Sequence, residues 1–447
     1  MVTGTRALRV LADYVRLNIR YIASTANRAT LRRALPPAMS RAALRQNGRE
    51  RELADAAALP YQGLLSTSLA LVGVVTGEAE PAVNILLGSA RPDSLFAGVD
   101  TAITVGIGLA TERGFSVRVV ELDHSTTPDS ELRSKALSVR YGSPIEVVPR
   151  NRISETLFGT QDVWLATHFL TAHALQVAVG SNRVVRKRCV YLIQDYEPGF
   201  VPWSTEFALA RDTYHAGFLA MVNAIPVARY LRDHEGLEIP DERVFGPAFE
   251  VERLRAAAAL RQKRQQGMPR TIFFYARPSK PRNMFNLGIA ALRAAVTELG
   301  AEADGLVLVS LGEHHEPMPL GRGIVLRSLG KLDWDDYFGF LAGVDVALSL
   351  QHSPHPSHPP LEAAMAGAIA ITNEFDGYRG SMHPRLIAVK PRVTDLARAV
   401  VDAVRSAAVD RSFSVPSSHQ LGGTMADAVA AVWAGLDERE RSSGLPR

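Results

Sequence analysis

Three cations crowd one short segment of the chain, Phe274-Tyr275-Ala276-Arg277-Pro278-Ser279-Lys280-Pro281-Arg282-Asn283. The apolar residues before it read as a strand, and those after it as a helix from about Phe285 to Leu299. Arg277, Lys280 and Arg282 therefore fall in a strand-to-helix loop, stiffened by Pro278 and Pro281. Guanidinium groups fixed at a strand end, beside the N–H groups of a helix N-terminus, can stabilise the negative charge that develops on a departing diphosphate. Asn283 closes the same loop. A solvated basic turn is the plainer reading, and the two prolines weigh against it because they pre-organise the backbone.

A second segment runs Ser349-Leu350-Gln351-His352-Ser353-Pro354-His355-Pro356-Ser357-His358-Pro359-Pro360-Leu361-Glu362. It reads as a strand end, a proline-rich loop and a short helix with Glu362 in its first turn, where a carboxylate can accept hydrogen bonds from sugar hydroxyls. An ordinary N-terminal helix charge is an equal alternative. His352, His355 and His358 recur every third residue, but the prolines forbid a regular helix and no carboxylate or cysteine lies among them, so a metal site is not expected. A histidine donating to a phosphate or sugar oxygen fits better. A third cluster, Gln194-Asp195-Tyr196-Glu197-Pro198 followed by Phe200, Pro202 and Trp203, puts two carboxylates beside aromatic rings after an apolar run. Carboxylates bind hydroxyls, rings cover the apolar face of a sugar, and either Asp195 or Glu197 could act as a base toward an acceptor hydroxyl. Thr167 and His168, after Val163-Trp164-Leu165-Ala166, are weaker candidates for the same cleft.

The elements that must position these groups alternate along the chain. Short apolar runs at Val83–Leu87, Val117–Glu121, Ile145–Val148, Val163–Ala166, Val190–Ile193, Phe218–Val222 and Arg243–Phe245 are separated by helical patterns. After the polar linker Arg261–Pro269 a second series begins with Thr271–Tyr275, Leu306–Ser310, Ile324–Leu326, Val344–Ser349 and Ala368–Thr372. Repeated βα units imply an α/β fold with two Rossmann-like domains whose strand C-termini face a shared cleft. The expected division is an arginine-rich helical extension (1–80), a first Rossmann-like domain (81–260), a second Rossmann-like domain (268–420) and a C-terminal helix and tail (421–447).

Length and composition suit this reading: 447 residues, 47% hydrophobic, 21% charged, net charge +4. The single Cys189 excludes an intrachain disulfide framework and fits a reducing cytoplasm; its apolar neighbours make it a core thiol. Arginines recur from Arg6 to Arg51 against only Asp13 and Glu50. The apolar spacing over 8–22 resembles a helical stripe, which suits either contact with anionic lipid or packing on the body with a solvated basic face. The apolar stretch Leu64–Val75 is too short to span a bilayer, and no secretory signal is evident.

Taken together, these residues resemble retaining glycosyltransferases of family 4, with GT-B architecture: two Rossmann-like domains facing a central cleft. Arg277 and Arg282 match the spacing of the cationic pair that grips the donor diphosphate there, with Arg282 in the place of a lysine. Leu361-Glu362-Ala363-Ala364-Met365-Ala366-Gly367 is similar to the family's helix whose glutamate binds the nucleotide ribose, a role the resemblance gives to Glu362. The blocks Gln194–Pro198, Arg277–Asn283 and Ser353-Pro354-His355-Pro356-Ser357 through Pro360-Leu361-Glu362 look most like bacterial cell-surface rhamnosyltransferases that use dTDP-L-rhamnose. This similarity covers about Pro81 to Gln420. One departure matters: the family's further glutamate, eight residues before the helix glutamate, is Pro354 here. Its donor-sugar contact must come from elsewhere, such as backbone amides of the Ser353–Ser357 loop.

The resemblance implies transfer of L-rhamnose from dTDP-L-rhamnose to a glycan or lipid-linked acceptor, with retention of configuration and without metal or other cofactor. Arg277 and Arg282 would stabilise the departing diphosphate, and Asp195 or Glu197 would orient the acceptor or stabilise the cationic sugar. The residues around them, Tyr196, Lys280, Asn283, His355 and Pro356, would line the donor and acceptor sites, and a loop at Gly98 would let backbone approach the diphosphate. The expected setting is the cytoplasm or the inner face of the cell membrane, with no nucleic-acid partner. A sugar-nucleotide epimerase or hydrolase on the same architecture, or a degenerate sugar-nucleotide-binding protein, remains the alternative.

Overall fold

The computed structural model describes residues 67–90, 97–123, 129–264, 268–406 and 411–442. The arginine-rich stripe expected over 8–22 lies outside them. Among the described residues, no helix is long and apolar enough to cross a membrane.

The first lobe is built on a seven-stranded, wholly parallel sheet. In chain order its strands are β2 (Ala82–Leu87), β3 (Ser116–Glu121), β4 (Ile145–Val148), β6 (Val163–Ala166), β7 (Cys189–Ile193), β8 (Leu219–Asn223) and β9 (Val244–Phe245), with spatial order β4-β3-β2-β6-β7-β8-β9. A small parallel pair, β1 (Val75–Gly77) with β5 (Leu157–Gly159), stands apart from it. Every residue of β2 is buried because helices cover both faces: Val83, Ile85 and Leu87 enter one core and Leu86 the other. Part of the apolar stretch Leu64–Val75 is accounted for here, since Ala70, Leu71 and Val74 pack into the same core as Phe158 and Trp164.

The second lobe repeats the plan with β10 (Thr271–Ala276), β11 (Val307–Gly312), β12 (Met318–Gly321), β13 (Ile324–Ser328), β14 (Val346–Ser349), β15 (Ile369–Asn373) and β16 (Leu386–Val389). Their order is β12-β13-β11-β10-β14-β15-β16, parallel except for the β12–β13 hairpin. The helix Phe285–Leu299 lies close against β10, and Gly288 permits it: a Cβ there would fall 2.3 Å from the ring of Phe274. Burying a phenylalanine such as Phe274 contributes about 1.5–3 kcal/mol, so this contact fixes the helix that follows the cationic loop.

The C-terminal helix Met425–Ser442 packs on the first lobe. Trp433 is buried, donates from its indole N–H to Leu109 O at 3.0 Å and meets Phe115 edge-on at 5.4 Å, while Arg113 pairs with Asp437 at 2.6 Å. Strand order reverses between β2 and β6 in one lobe and between β10 and β14 in the other. In open α/β sheets such reversals open the crevices where ligands bind.

Candidate functional site between the lobes

The cationic loop starts at the C-terminal end of β10, beside the second reversal. Gly312 on β11 has a φ of +126°, and a Cβ there would lie 2.4 Å from Ala276 O, so only glycine lets β11 run this close to the base of Arg277. The next residue, Glu313, braces the loop. Its carboxylate accepts from Ser279 N at 2.9 Å, from Ser279 Oγ at 2.7 Å and from Arg277 Nε at 3.4 Å. Partial burial would raise its pKa, but these donors outweigh it and hold Glu313 below the usual carboxylate range. Lys280 points to solvent.

Arg282 is placed differently. Its short 3₁₀ turn, Pro281–Asn283, is tied to the loop after β14 through Asn283 Nδ2 to Leu350 O at 3.2 Å and His352 N to Arg282 O at 2.6 Å. Its guanidinium lies 4.0 Å from the ring of Phe200 on the opposite lobe, and its Nε is buried with no hydrogen-bond partner among the described residues. Tyr275 locates the convergence. Its pKa is raised by burial, and Arg277, Arg282 and Glu362 all act on it electrostatically.

The loop after β14 is held by Arg379, which is 1% exposed. Its two terminal nitrogens donate to Ser353 O at 2.7 Å, His355 O at 2.9 Å and Thr372 Oγ1 at 3.0 Å. Burial lowers its pKa to about 10. Pro354 and Pro356 are buried, and Ser357 has a φ of +65°, strain that surrounding contacts must impose. His355 Nδ1 accepts from Ser357 N at 3.1 Å, and burial drops its pKa to about 3, so at neutral pH its proton sits on Nε2. The helix His358–Met365 follows, and its own Pro360 and Leu361 are buried; because it begins at His358, Glu362 stands past the first turn and not within it as the sequence suggested. Glu362 is 5% exposed, accepts from Tyr337 Oη at 2.6 Å and is lifted by burial to a pKa of about 7.

Asp195, at the end of β7, reaches across from the first lobe. It accepts from Ser353 Oγ at 2.5 Å and Gln351 Nε2 at 3.4 Å, and from its neighbour Tyr196 N at 2.8 Å. Burial raises its pKa, partly offset by the Ser353 hydroxyl and by the charges of Arg282 and Arg379. Glu197 turns inward instead: Phe169 N and Tyr191 Oη (3.1 Å) donate to it, and burial lifts its pKa to about 8. Its carboxylate thus supports the lobe and does not line the cleft. Tyr196 donates from its hydroxyl to Glu235 at 2.7 Å. Thr167 spends its hydroxyl on Leu86 O at 2.6 Å, at the β2–β6 reversal. His168 caps the helix Phe169–Gly180 through Nδ1 and is kept neutral by burial and Arg282, with a pKa of about 4. Gly98 lies in the first turn of the helix Ala97–Arg113 and not in a loop. Its carbonyl accepts from Gln194 Nε2 at 2.8 Å, and a Cβ would meet only ordinary contacts there, so close backbone approach does not require this glycine.

The structure thus brings Arg277, Arg282, Asn283, the Ser353–Ser357 loop, Glu362 and Asp195 to one cleft. It adds Tyr275, Glu313, Tyr337, Gln351 and Arg379, which sequence reasoning passed over. Tyr275 stood inside the cationic segment and was legible as a strand-end residue. Arg379 and Tyr337 lie in no motif and reach the site only through folding. Among the described residues, no group of three or more His, Cys, Asp or Glu side chains is arranged to hold a metal ion.

Two seven-stranded βα lobes meeting at their strand ends define a GT-B architecture. The ligand-free OtsA structure shares it, at 10% identity over 84% of this chain and 100% of that one, with a TM-score of 0.50. Anabaena HepE with UDP is similar at 15% identity over 81% and 100%, with a TM-score of 0.49. Residues 82–224 match the family model for the WsaF N-terminal domain and residues 270–401 that for the WsaF C-terminal domain. The O-antigen biosynthesis protein RfbC of Myxococcus xanthus is 30% identical over 282 residues, which is 63% of this chain and 21% of that protein. The chain spans about a fifth of that relative's length.

Proposed function

We propose that this protein is a glycosyltransferase of cell-surface polysaccharide synthesis, moving L-rhamnose from dTDP-L-rhamnose to a glycan or lipid-linked saccharide. The observation that carries the reading is the convergence of Arg277, Arg282 and Glu362 on Tyr275, with Asp195 facing them from the other lobe. The similarity to a protein of O-antigen biosynthesis points the same way.

In this reading the donor diphosphate rests on Arg282, whose buried Nε is a donor without a partner among the described residues, and on Arg277. Glu362 accepts from the ribose hydroxyls. The sugar lies under the Ser353–Ser357 loop, where Asp195 supplies the carboxylate that Pro354 does not. As the bond from the anomeric carbon to the diphosphate breaks, the arginines take up the developing charge. The acceptor oxygen bonds to that carbon from the same face, and its proton passes to the departing phosphate oxygen. Configuration is retained and no metal takes part. The protein works at the cytoplasmic face of the membrane, with the arginine-rich extension, residues 1–80, as its contact with anionic lipid.

The test is turnover of dTDP-L-rhamnose by the full chain with saccharide acceptors in EDTA, followed by NMR of the product. Acceptor-dependent release of dTDP and a linkage of retained configuration are expected. Release of dTDP regardless of acceptor would mean a hydrolase, and turnover of other nucleotide sugars alone would overturn the rhamnose assignment.

A further inference from the structure

Trp203 is 90% exposed, although indole is the largest apolar side chain the chain has to bury. Its ring stacks on Phe207 at 5.0 Å and only 9° from parallel. Ser204 caps the helix Thr205–Thr213, its hydroxyl accepting from Phe207 N at 3.2 Å, so the backbone beneath both rings is fixed. A hydrophobic contact across a helix start explains the pairing, but not why the outer indole face is left in water. The position suggests a reason. Phe200, three residues earlier, lies against Arg282 at 4.0 Å, and three residues span at most about 11 Å. The stacked pair therefore stands near the mouth of the cleft, on the lobe facing the cations.

We propose that Trp203 and Phe207 form a stacking platform for a saccharide unit of the acceptor, away from the unit that receives the transferred sugar. The proposal rests on the glycosyl-transfer reading and names where the acceptor lies. A flat, rigid, amphipathic ring pair suits the apolar face of a pyranose, and the neighbouring Ser204 and Glu206 offer partners for its hydroxyls. The segment that carries the rings supplies no cation for an anionic membrane, since no lysine or arginine occurs from Pro198 to Ala210. A second pair, Trp334 on Phe338 at 5.7 Å, differs: Phe338 is buried and Arg253 covers its ring, so that pair is anchored to the core.

The experiment compares the full-length wild type with Trp203→Ala, Trp203→Phe and Trp334→Ala on an array of bacterial surface-polysaccharide fragments. Binding to vesicles of phosphatidylcholine and phosphatidylglycerol and the melting shift with dTDP-L-rhamnose are read in parallel. Trp203→Ala is expected to weaken glycan binding about tenfold, Trp203→Phe to restore part of it, and Trp334→Ala to match wild type. The donor-induced melting shift should be the same in all four. Equal glycan binding by Trp203→Ala, no glycan bound by the wild type, or loss of vesicle binding alone would overturn the platform. A donor shift missing from every protein would instead sink the transferase reading, leaving the platform to be judged on glycan binding.

Discussion

On the C-terminal side of the cleft, cations stand at strand ends: Arg277 and Arg282 after β10, with Arg379 locking the loop after β14. On the N-terminal side, carboxylates occupy the corresponding positions, and burial pushes both Asp195 and Glu197 upward. The difference lies in how the charges are satisfied. Arg282 has a buried Nε with no partner among the described residues, whereas the carboxylates are already engaged, Asp195 by the opposite lobe and Glu197 by its own. A cationic bank with spare donors is prepared for an anion. An acidic bank whose groups are occupied sets geometry, and releases Asp195 only when Ser353 moves or a ligand takes its place.

Alanine substitutions test the cationic bank first and should have the largest effect. Arg282→Ala should lower kcat by roughly 10²–10³-fold with little change in melting temperature, because it removes a pre-organised donor at the leaving group. Arg277→Ala should cost less, about tenfold, since Arg277 shares its charge with Glu313. Equal losses would erase the distinction drawn between them. Across the cleft, Asp195→Asn should reduce kcat by about tenfold or more while Glu197→Gln leaves it nearly unchanged, as only Asp195 faces the second lobe.

Smaller effects separate the two sides by pH. Glu362 has a pKa of about 7, and its ionised form is the better acceptor for ribose hydroxyls. Affinity for dTDP should therefore rise as pH passes upward through about 7, and Glu362→Gln should flatten that profile. Tyr337→Phe removes the hydroxyl that favours the ionised form, so the midpoint should move up. For Glu197, whose folded pKa of about 8 exceeds its unfolded value, the native state holds the proton more tightly. Wild-type stability should fall as pH rises from about 4.5 to about 8, and melting curves of Glu197→Gln should lack that part of the decline.

Much of this architecture was readable beforehand. The apolar runs at Ile145–Val148, Val163–Ala166 and Thr271–Tyr275 sit at observed strands because parallel strands buried on both faces need continuous apolar sequence. The helix expected from about Phe285 to Leu299 was legible too and is observed at Phe285–Leu299. Leu386–Val389 was not legible, because an apolar run of only four residues does not by itself distinguish a strand from a buried loop or helix segment, nor was Ser130–Tyr141, whose outward face is largely polar. In the site, Arg277, Arg282 and Glu362 were visible because each belongs to a contiguous strand–loop–helix pattern. The inward turn of Glu197 was not: Asp195 and Glu197 are two residues apart, and only the 3₁₀ turn Glu197–Phe200 decides which one meets the cleft. Arg379 acts through backbone carbonyls of a segment more than twenty residues away, which no local pattern announces.

The most direct measurement is calorimetric titration of dTDP into the wild type, Arg282→Ala and Glu362→Gln at pH 8. Wild-type binding, weakened about tenfold or more by either substitution with the fold intact, is the expected result. Wild-type affinity for dTDP left unchanged by both substitutions would contradict a nucleoside diphosphate held between these two residues.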